Sequence, residues 1–273
     1  MSTISASTTS TTAYKVSADT TGTLVLQTGA TPTTAVTISS AQVVTLASAL
    51  PESSGGTGTT TGYYGFKNRI INGGMVIDQR NAGASVTPTN GQFSVDRWMC
   101  LVSAASKYTA QQNAAAVTPP VGFIKYLGIT SSSAYSVAAG DYFNIRQGIE
   151  GLNVADLAWG TASAATITLS FWVRSSLTGT FGGGIVNGAG DRSYPYTYTI
   201  SVANTWEQKT ITIAGDTTGT WVTTNSNWGY IQFGLGVGTT YSGTAGAWAA
   251  GNYLSATGAT SVVGTSGATF YIT

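Results

Sequence analysis

Short stretches that alternate apolar and polar residues, separated by glycine-rich turns, constrain this fold more than any other feature. In residues 166–174, Ile167, Leu169, Phe171 and Val173 fall on one side of an extended chain and polar residues on the other. Similar stretches recur at intervals typical of sandwiches: residues 98–102, 122–129, 142–147, 166–174, 194–202, 206–213, 228–237 and 268–272. Turn signals, including 179–190, lie between them. The pattern predicts an all-β protein whose eight strands form an antiparallel β-sandwich of the jelly-roll type.

The composition agrees with this fold class and excludes several partners. Only 8% of the residues are charged and 42% are hydrophobic, which argues against a disordered chain. The net charge is +1 and no basic run occurs, so no nucleic-acid partner is expected. A membrane-spanning helix needs about eighteen or more consecutive apolar residues, and the sequence contains no such stretch. We therefore expect no membrane insertion.

The scarcity of catalytic residue types argues against an enzyme. The chain contains no histidine and one cysteine, which excludes histidine-dependent nucleophiles and histidine-ligated metals. The ten acidic residues form no recognisable pair for glycoside hydrolysis. Asp191 and Asp216 lie in glycine-rich loops and carry the oxygens that calcium accepts, but no full ligand set accompanies them. We expect no catalytic residues, no metal and no cofactor, and we expect Cys100 to be a buried thiol.

The chain divides into three segments by composition. Residues 1–50 form a small β-rich segment with strand patterns at 14–16, 23–27, 35–38 and 43–46. So small a unit buries little core by itself, so it is expected to need the downstream domain, further copies of itself or another protein. Residues 51–62, PESSGGTGTTTG, have the composition of a linker. The sandwich is expected to occupy residues 63–273.

Charged residues are concentrated between residues 67 and 98. This stretch holds Asp78, Arg80, Asp96 and Arg97 in a chain with few charges. One interpretation is structural: Asp78 pairs with Arg80, or Asp96 with Arg97, and the pair joins the first strand of the sandwich to its sheet. A polar ligand site is the alternative.

The motifs NRIINGGMVIDQRNAG (68–83) and VDRW (95–98) resemble the opening of a module found in tailed-phage structural proteins, above all in tail fibres. Further motifs agree in order: QGIEG (147–151), LAWGT (157–161), TLSFWVR (168–174) and NTWEQKT (204–210). The resemblance covers about residues 67–273 and implies a β-sandwich related to carbohydrate-binding jelly rolls. The SGGTG sequence of the linker resembles junctions between segments of trimeric tail fibres. Since the module continues beyond the position of Thr273, we expect this chain to be shortened or its last strand to be completed differently.

The resemblance also implies a function. It implies a virion protein made in the host cytoplasm, a homotrimer, an N-terminal segment that contacts other virion proteins, and a host surface polysaccharide as ligand. A tail fibre or receptor-binding protein is one alternative. A purely structural component, such as a head fibre, capsid decoration or collar protein, is the second, and a glycan-cleaving enzyme is the third.

Alternation places a second, polar set of side chains on three of the predicted strands. The predicted ligand-binding residues are Tyr142, Asn144, Arg146, Trp172, Arg174, Trp228 and Tyr230. Sugar rings stack on aromatic rings, and their hydroxyls bond to amide and guanidinium groups. We expect the three strands to share one glycan-binding face with Trp172 as its anchor. Alternatively, these rings pack under a loop such as 179–190 or against a neighbouring subunit.

Overall fold

The fold is all-β, as the sequence predicts. A computed structural model describes residues 21–28, 33–48 and 67–273, with 41% of the described residues in strands and 5% helical. The chain divides into two compact units, Met1–Asn68 and Arg69–Thr273. No helix within the described ranges is long and apolar enough to span a membrane.

The N-terminal unit contains a three-stranded antiparallel sheet in the order β1-β2-β3. Its strands are β1 (Leu24–Thr28), β2 (Thr33–Ile38) and β3 (Val44–Leu46), close to three of the predicted strands. The predicted strand at 14–16 and the linker at 51–62 lie outside the described residues. The division into 1–50, 51–62 and 63–273 therefore stays a prediction.

The second unit consists of fourteen strands within residues 69–273. They are β4 (Phe93–Val95), β5 (Trp98–Val102), β6 (Tyr108–Gln112), β7 (Leu127–Ser131), β8 (Tyr142–Glu150), β9 (Ile167–Ser175), β10 (Gly179–Asn187), β11 (Arg192–Ile200), β12 (Glu207–Ile213), β13 (Asn227–Val237), β14 (Ser242–Gly243), β15 (Ala249–Ala250), β16 (Ser255–Ala256) and β17 (Thr269–Ile272). Seven form one antiparallel sheet, in the order β15-β11-β10-β13-β8-β5-β4, and five form another, in the order β12-β9-β17-β7-β6. β14 and β16 form a short parallel pair.

The core lies between the two larger sheets. β9 contributes Leu169, Phe171 and Val173 to it, and β13 contributes Ile231 and Phe233, all on the sides that alternation predicts. Other residues expected in the core are also buried: Phe143, Ile145, Tyr194, Tyr196, Tyr198 and Cys100. Burial raises the pKa of the Cys100 thiol, so this residue is an unreactive core side chain.

The prediction that residues 179–190 form a turn is wrong. Nine of them form β10, which pairs with β11 on one side and β13 on the other. The glycines that indicate a turn in the sequence have a packing role here. A Cβ on Gly183 would lie 2.5 Å from Tyr196 Cζ and 2.2 Å from the Gln232 carbonyl oxygen. The strand tolerates glycine because neighbouring groups occupy the space of the missing side chains.

The charged stretch at 67–98 is paired differently from the prediction. Arg97 Nη1 lies 2.7 Å from Glu150 Oε1. Arg80 Nε lies 3.9 Å from Asp96 Oδ1, and the Arg80 side chain is 62% exposed. Asp78 accepts hydrogen bonds from two backbone N–H groups of its own turn. The expected pairs are wrong because the turn after Asp78 folds back on that carboxylate and β5 pairs with distant β8.

Candidate functional site

The predicted ligand-binding residues lie on two different faces of the sandwich. Phe171 of β9 and Phe233 of β13 meet in the core, with ring centroids 4.9 Å apart. Side chains that alternate with these rings point outward, in opposite directions for the two sheets. Trp172 and Arg174 thus lie on the outer face of the five-stranded sheet. The outer face of the seven-stranded sheet carries Tyr142, Asn144, Arg146 and Tyr230. The prediction of one shared face is wrong because β9 belongs to the other sheet.

Trp228 lies on neither outer face. The pairing of β13 with β8 shifts register between Asn227 and Gly229, which is a β-bulge and reverses the alternation at this point. The Trp228 ring is 3% exposed and packs against the Trp221 ring at 4.6 Å between centroids. The assignment of Trp228 to a polar face is therefore corrected: it is a core residue.

Arg174 and Trp172 are held differently on the five-stranded sheet. Arg174 Nε donates to the Asn204 carbonyl oxygen at 2.9 Å, and its guanidinium lies 5.4 Å from the Tyr271 ring centroid. Tyr271 itself packs against Tyr126. The Trp172 side chain is half-buried and makes no ring contact or indole hydrogen bond with the part of the chain that the structure describes. The Arg174 guanidinium thus has partners within its own fold, whereas the half-buried Trp172 indole has neither a ring partner nor a hydrogen bond among the described residues.

A second arrangement lies on the seven-stranded sheet, and we call Met99, Arg146, Gly148 and Tyr230 the arginine shelf. Arg146 of β8 stands between Met99 of β5 and Gln232 of β13 in the strand register. Its guanidinium carbon lies 3.8 Å from the Tyr230 ring centroid, a cation–π contact. The Tyr230 ring lies beside Gly148, where a Cβ would come within 3.3 Å of it. The cross-strand register therefore builds the shelf from three adjacent strands.

The Arg146 guanidinium has few partners. Nη2 donates to Met99 Sδ at 3.6 Å, and a thioether sulfur is a weak acceptor. Nε is buried without a hydrogen-bond partner among the described residues. Burial lowers the pKa of Arg146 below its ordinary value, as expected for a cation that the fold removes from water. Tyr142, four residues away on β8 and so about 13 Å along the strand, is half-buried and packs edge-on against Tyr241.

Two buried amides border the arginine shelf. Asn144 and Gln232 are both 0% exposed. Asn144 Nδ2 donates to the Leu254 carbonyl oxygen at 3.3 Å. Within the part of the chain that the structure describes, Asn144 Oδ1 has no partner, and neither Oε1 nor Nε2 of Gln232 has one. A buried polar atom without a partner costs about 1–3 kcal/mol. Such a concentration of unpaired atoms indicates a place where ordered water or a polar ligand completes the hydrogen bonding.

Residues 253–256, which we call the strap, cross the neighbouring half of this face. A Cβ on Gly184 would lie 2.8 Å from the Tyr253 carbonyl oxygen, and one on Gly182 would lie 2.5 Å from Ser255 Oγ. The glycines of β10 therefore make room for the strap, and the shelf lies at its edge. Sequence reasoning missed the strap, since the contact joins residues far apart in the chain. It also missed Met99, although alternation with the buried Trp98 and Cys100 would have indicated its outward direction.

The acidic residues considered as calcium ligands are engaged by protein donors. Asp216 accepts hydrogen bonds from Arg192 Nε at 2.9 Å, Arg192 Nη2 at 2.8 Å and Trp221 Nε1 at 3.0 Å. Asp191 Oδ1 accepts one from Asn187 Nδ2 at 2.7 Å. No group of three or more His, Cys, Asp or Glu residues within 21–28, 33–48 and 67–273 could hold a metal ion.

Taken together, the fold and the shelf define an antiparallel β-sandwich that carries an aromatic and cationic surface on its seven-stranded sheet. No protein-family model matches the chain, and no curated protein matches it either. Among solved structures, the chain is similar to the enzymatically active domain of bacteriophage CBA120 tailspike protein 4, with 16% identity and a TM-score of 0.37. That match covers 68% of this chain, which spans only 21% of the tailspike chain.

Two carbohydrate-binding modules are also similar to this chain. One is a structure described as CBM4, with 14% identity, a TM-score of 0.32, and coverage of 61% of this chain and 90% of the other. The other is the family 11 module of the cellulosomal cellulase Lic26A-Cel5E of Clostridium thermocellum, with 14% identity, a TM-score of 0.31, and coverage of 70% and 92%. These similarities assign neither a family nor an activity to the chain.

Proposed function

We propose that this chain is a phage virion structural protein, a tail fibre or other receptor-binding protein, that binds a host surface glycan at the arginine shelf. The observation that carries the binding site is the half-buried Arg146 guanidinium stacked on Tyr230 without a carboxylate partner among the described residues. An aromatic ring and a forked donor can bind the C–H face and hydroxyls of a sugar. Asn144 and Gln232 lie under the edge of the strap, so the direct contacts fall to Arg146 and Tyr230. The proposed role is binding without catalysis.

The virion role is supported by the resemblance at residues 68–83 and 95–98 and by the N-terminal unit. Residues 21–48 contain no charged side chain, and Val25 and Val44 are 44% and 59% exposed. An uncharged sheet with exposed apolar residues suits burial against another chain. In this proposal the N-terminal segment joins the chain into a trimer and attaches it to other virion proteins.

A purely structural virion role is the second candidate. The observation that favours it is Trp172, a half-buried ring on the outer face of the five-stranded sheet that lacks a ring partner in the described part of the molecule. Aromatic residues are enriched at protein interfaces, so this face would meet a neighbouring virion protein. The sandwich would then serve assembly alone.

Binding to host cells and to arrayed bacterial polysaccharides tests the two candidates. We expect Tyr230→Ala in the full chain to weaken binding roughly thirtyfold or more, the scale of an aromatic hot spot. Trp172→Ala on the opposite face is the matched control and should bind normally, and both variants should keep their melting temperature within a few degrees. Loss of binding with Trp172→Ala alone would move the site to the five-stranded sheet. No binding by the unmodified chain would favour the structural role.

A further inference from the structure

The arginine shelf carries a positive charge that the described part of the fold does not neutralise. Five other basic residues lie 2.6–3.9 Å from a carboxylate: Arg69 with Asp156, Arg80 with Asp96, Arg97 with Glu150, Arg192 with Asp216, and Lys209 with Glu207. Arg146 has no carboxylate partner among the described residues, and its hydrogen bond to Met99 ends on sulfur. Its charge is thus available to an anion from outside.

The surroundings of Arg146 make that charge unfavourable in the free protein. A cation removed from water without a counter-charge is destabilising, and Arg146 is half-buried with a fully buried Nε. The Tyr230 ring offsets part of this cost through its π face. A ring supplies no acceptor in the plane of the guanidinium, however, so the N–H groups of Arg146 have no strong acceptor among the residues that the structure describes. An oxyanion in that plane would accept two of them.

We propose that the glycan bound at the shelf is acidic, and that Arg146 receives an oxyanion carried on a sugar while Tyr230 contacts the adjacent ring. The inference rests on the proposed function and names its ligand class. A uronic acid carboxylate and a sugar phosphate share the required chemistry, since both present two oxygens to a guanidinium. A neutral sugar would leave the Arg146 charge uncompensated.

Arg174 provides a matched control for this arginine. It also lies over a tyrosine ring, that of Tyr271, but on the other outer face of the sandwich. Its Nε donates to a backbone carbonyl oxygen, whereas Arg146 Nε has no hydrogen-bond partner in the described ranges. Substitution of either arginine by glutamine removes one charge from an arginine–tyrosine pair, and only Arg146→Gln removes it from the shelf.

The experiment uses the full chain and bacterial polysaccharides arrayed in native, carboxyl-reduced and dephosphorylated forms. We expect binding to native acidic polysaccharides and a loss of roughly ten- to a hundredfold when the recognised anion is removed, the scale of a charged hydrogen bond. The treatment that causes the loss identifies a carboxylate or a phosphate. Arg146→Gln should weaken binding of the native form equally, and Arg174→Gln should not. Binding should also weaken with rising salt.

Melting temperatures distinguish a ligand contact from a structural role. Because Arg146→Gln removes an uncompensated charge, we expect its melting temperature to equal or exceed that of the unmodified chain. A lower melting temperature with equal weakening for every polysaccharide form would overturn the inference. If neutral and acidic forms bind equally and Tyr230→Ala abolishes both, the proposed function stands and the acidic preference is wrong. If no form binds, both are wrong.

Discussion

Asp216 is the one acidic residue among the described residues that is buried, at 1% exposure. Burial by itself raises the pKa of its carboxyl group, but hydrogen bonds from Arg192, Trp221 and the Thr218 backbone outweigh that effect and hold the pKa below its ordinary value of 3.8. The ionised form is therefore the one that the fold stabilises. In the sequence, Asp216 was considered as a calcium ligand. In the structure, its carboxylate instead holds its loop beside Trp221.

Asp216→Asn should destabilise the sandwich by about 3–5 kcal/mol, because it leaves the Arg192 guanidinium without its counter-charge. Chemical unfolding measures this loss. Since the folded pKa of Asp216 is depressed, its contribution is present at pH values above the unfolded pKa and is lost as the pH falls through the folded pKa, below 3.8. Stability of the variant should therefore fall less steeply below about pH 4.

The exposed pair of Arg80 and Asp96 provides the control. Its atoms are 3.9 Å apart and Arg80 is 62% exposed, so Arg80→Ala should cost about 0–1 kcal/mol. Equal losses in Arg80→Ala and Asp216→Asn would contradict a special role for the buried pair.

At the scale of secondary structure, β10 shows how glycine can belong to the centre of a sheet. Gly183 faces the core, where the Tyr196 ring lies in the space of the missing side chain and Tyr196 Oη donates to the Gln232 carbonyl oxygen at 2.6 Å. Gly182 and Gly184 face outward, where the strap crosses them. The inner face of β10 therefore packs in the core, and its outer face supports the strap that borders the arginine shelf.

Gly183→Ala should destabilise the protein by at least about 2 kcal/mol, because overpacking displaces neighbours that cannot move freely. A Cβ there would meet backbone oxygen and the Tyr196 ring at 2.2–2.5 Å. Urea unfolding measures the change. Gly140→Ala is the control, since no atom of the described residues lies within 4 Å of its Cβ position; that variant should be neutral or slightly more stable. Unchanged stability of Gly183→Ala would show that β10 has room for side chains.

At the scale of the whole molecule, the two units differ in how they cover their apolar residues. The sandwich buries large side chains between two sheets, whereas the described N-terminal sheet has no charged residue and exposes Val25, Leu26, Val43, Val44 and Leu46 at 39–59%. A sheet of three short strands gains little from its own packing. Association with further copies would cover these residues.

We expect the full chain to associate, and the resemblance to tail fibres implies a homotrimer, whose mass multi-angle light scattering measures. Val44→Lys should shift it to smaller species, because burying an unpaired charge in an apolar interface is costly. Val121→Lys in the sandwich is the control, since Val121 is 96% exposed and should tolerate the charge. A monodisperse monomer of the unmodified chain would contradict the prediction.

Local patterns were sufficient to predict the fold class and the direction of many side chains. In β9, the alternation around Trp172 correctly separates Phe171 and Val173 in the core from Trp172 outside. Alternation also correctly places Arg146 of β8 and Tyr230 of β13 on the outside of their sheet. These predictions succeed because successive residues of a strand point to opposite faces whatever the strand pairs with.

What the tertiary structure alone decided depends on contacts between residues distant in the sequence. Pairing placed β9 and β8 in different sheets, so Trp172 and Arg146 face opposite sides although their strand patterns are similar. A β-bulge directs Trp228 into the core. The glycine-rich segment that suggests a turn in the sequence is strand β10, and the Tyr196 ring fills the space of the missing side chain at Gly183. The sequence by itself determined an all-β chain with two-faced strands, since those properties are local. Which strands share a face, and so which side chains form a site, was decided by pairing and packing between strands that are far apart in the sequence.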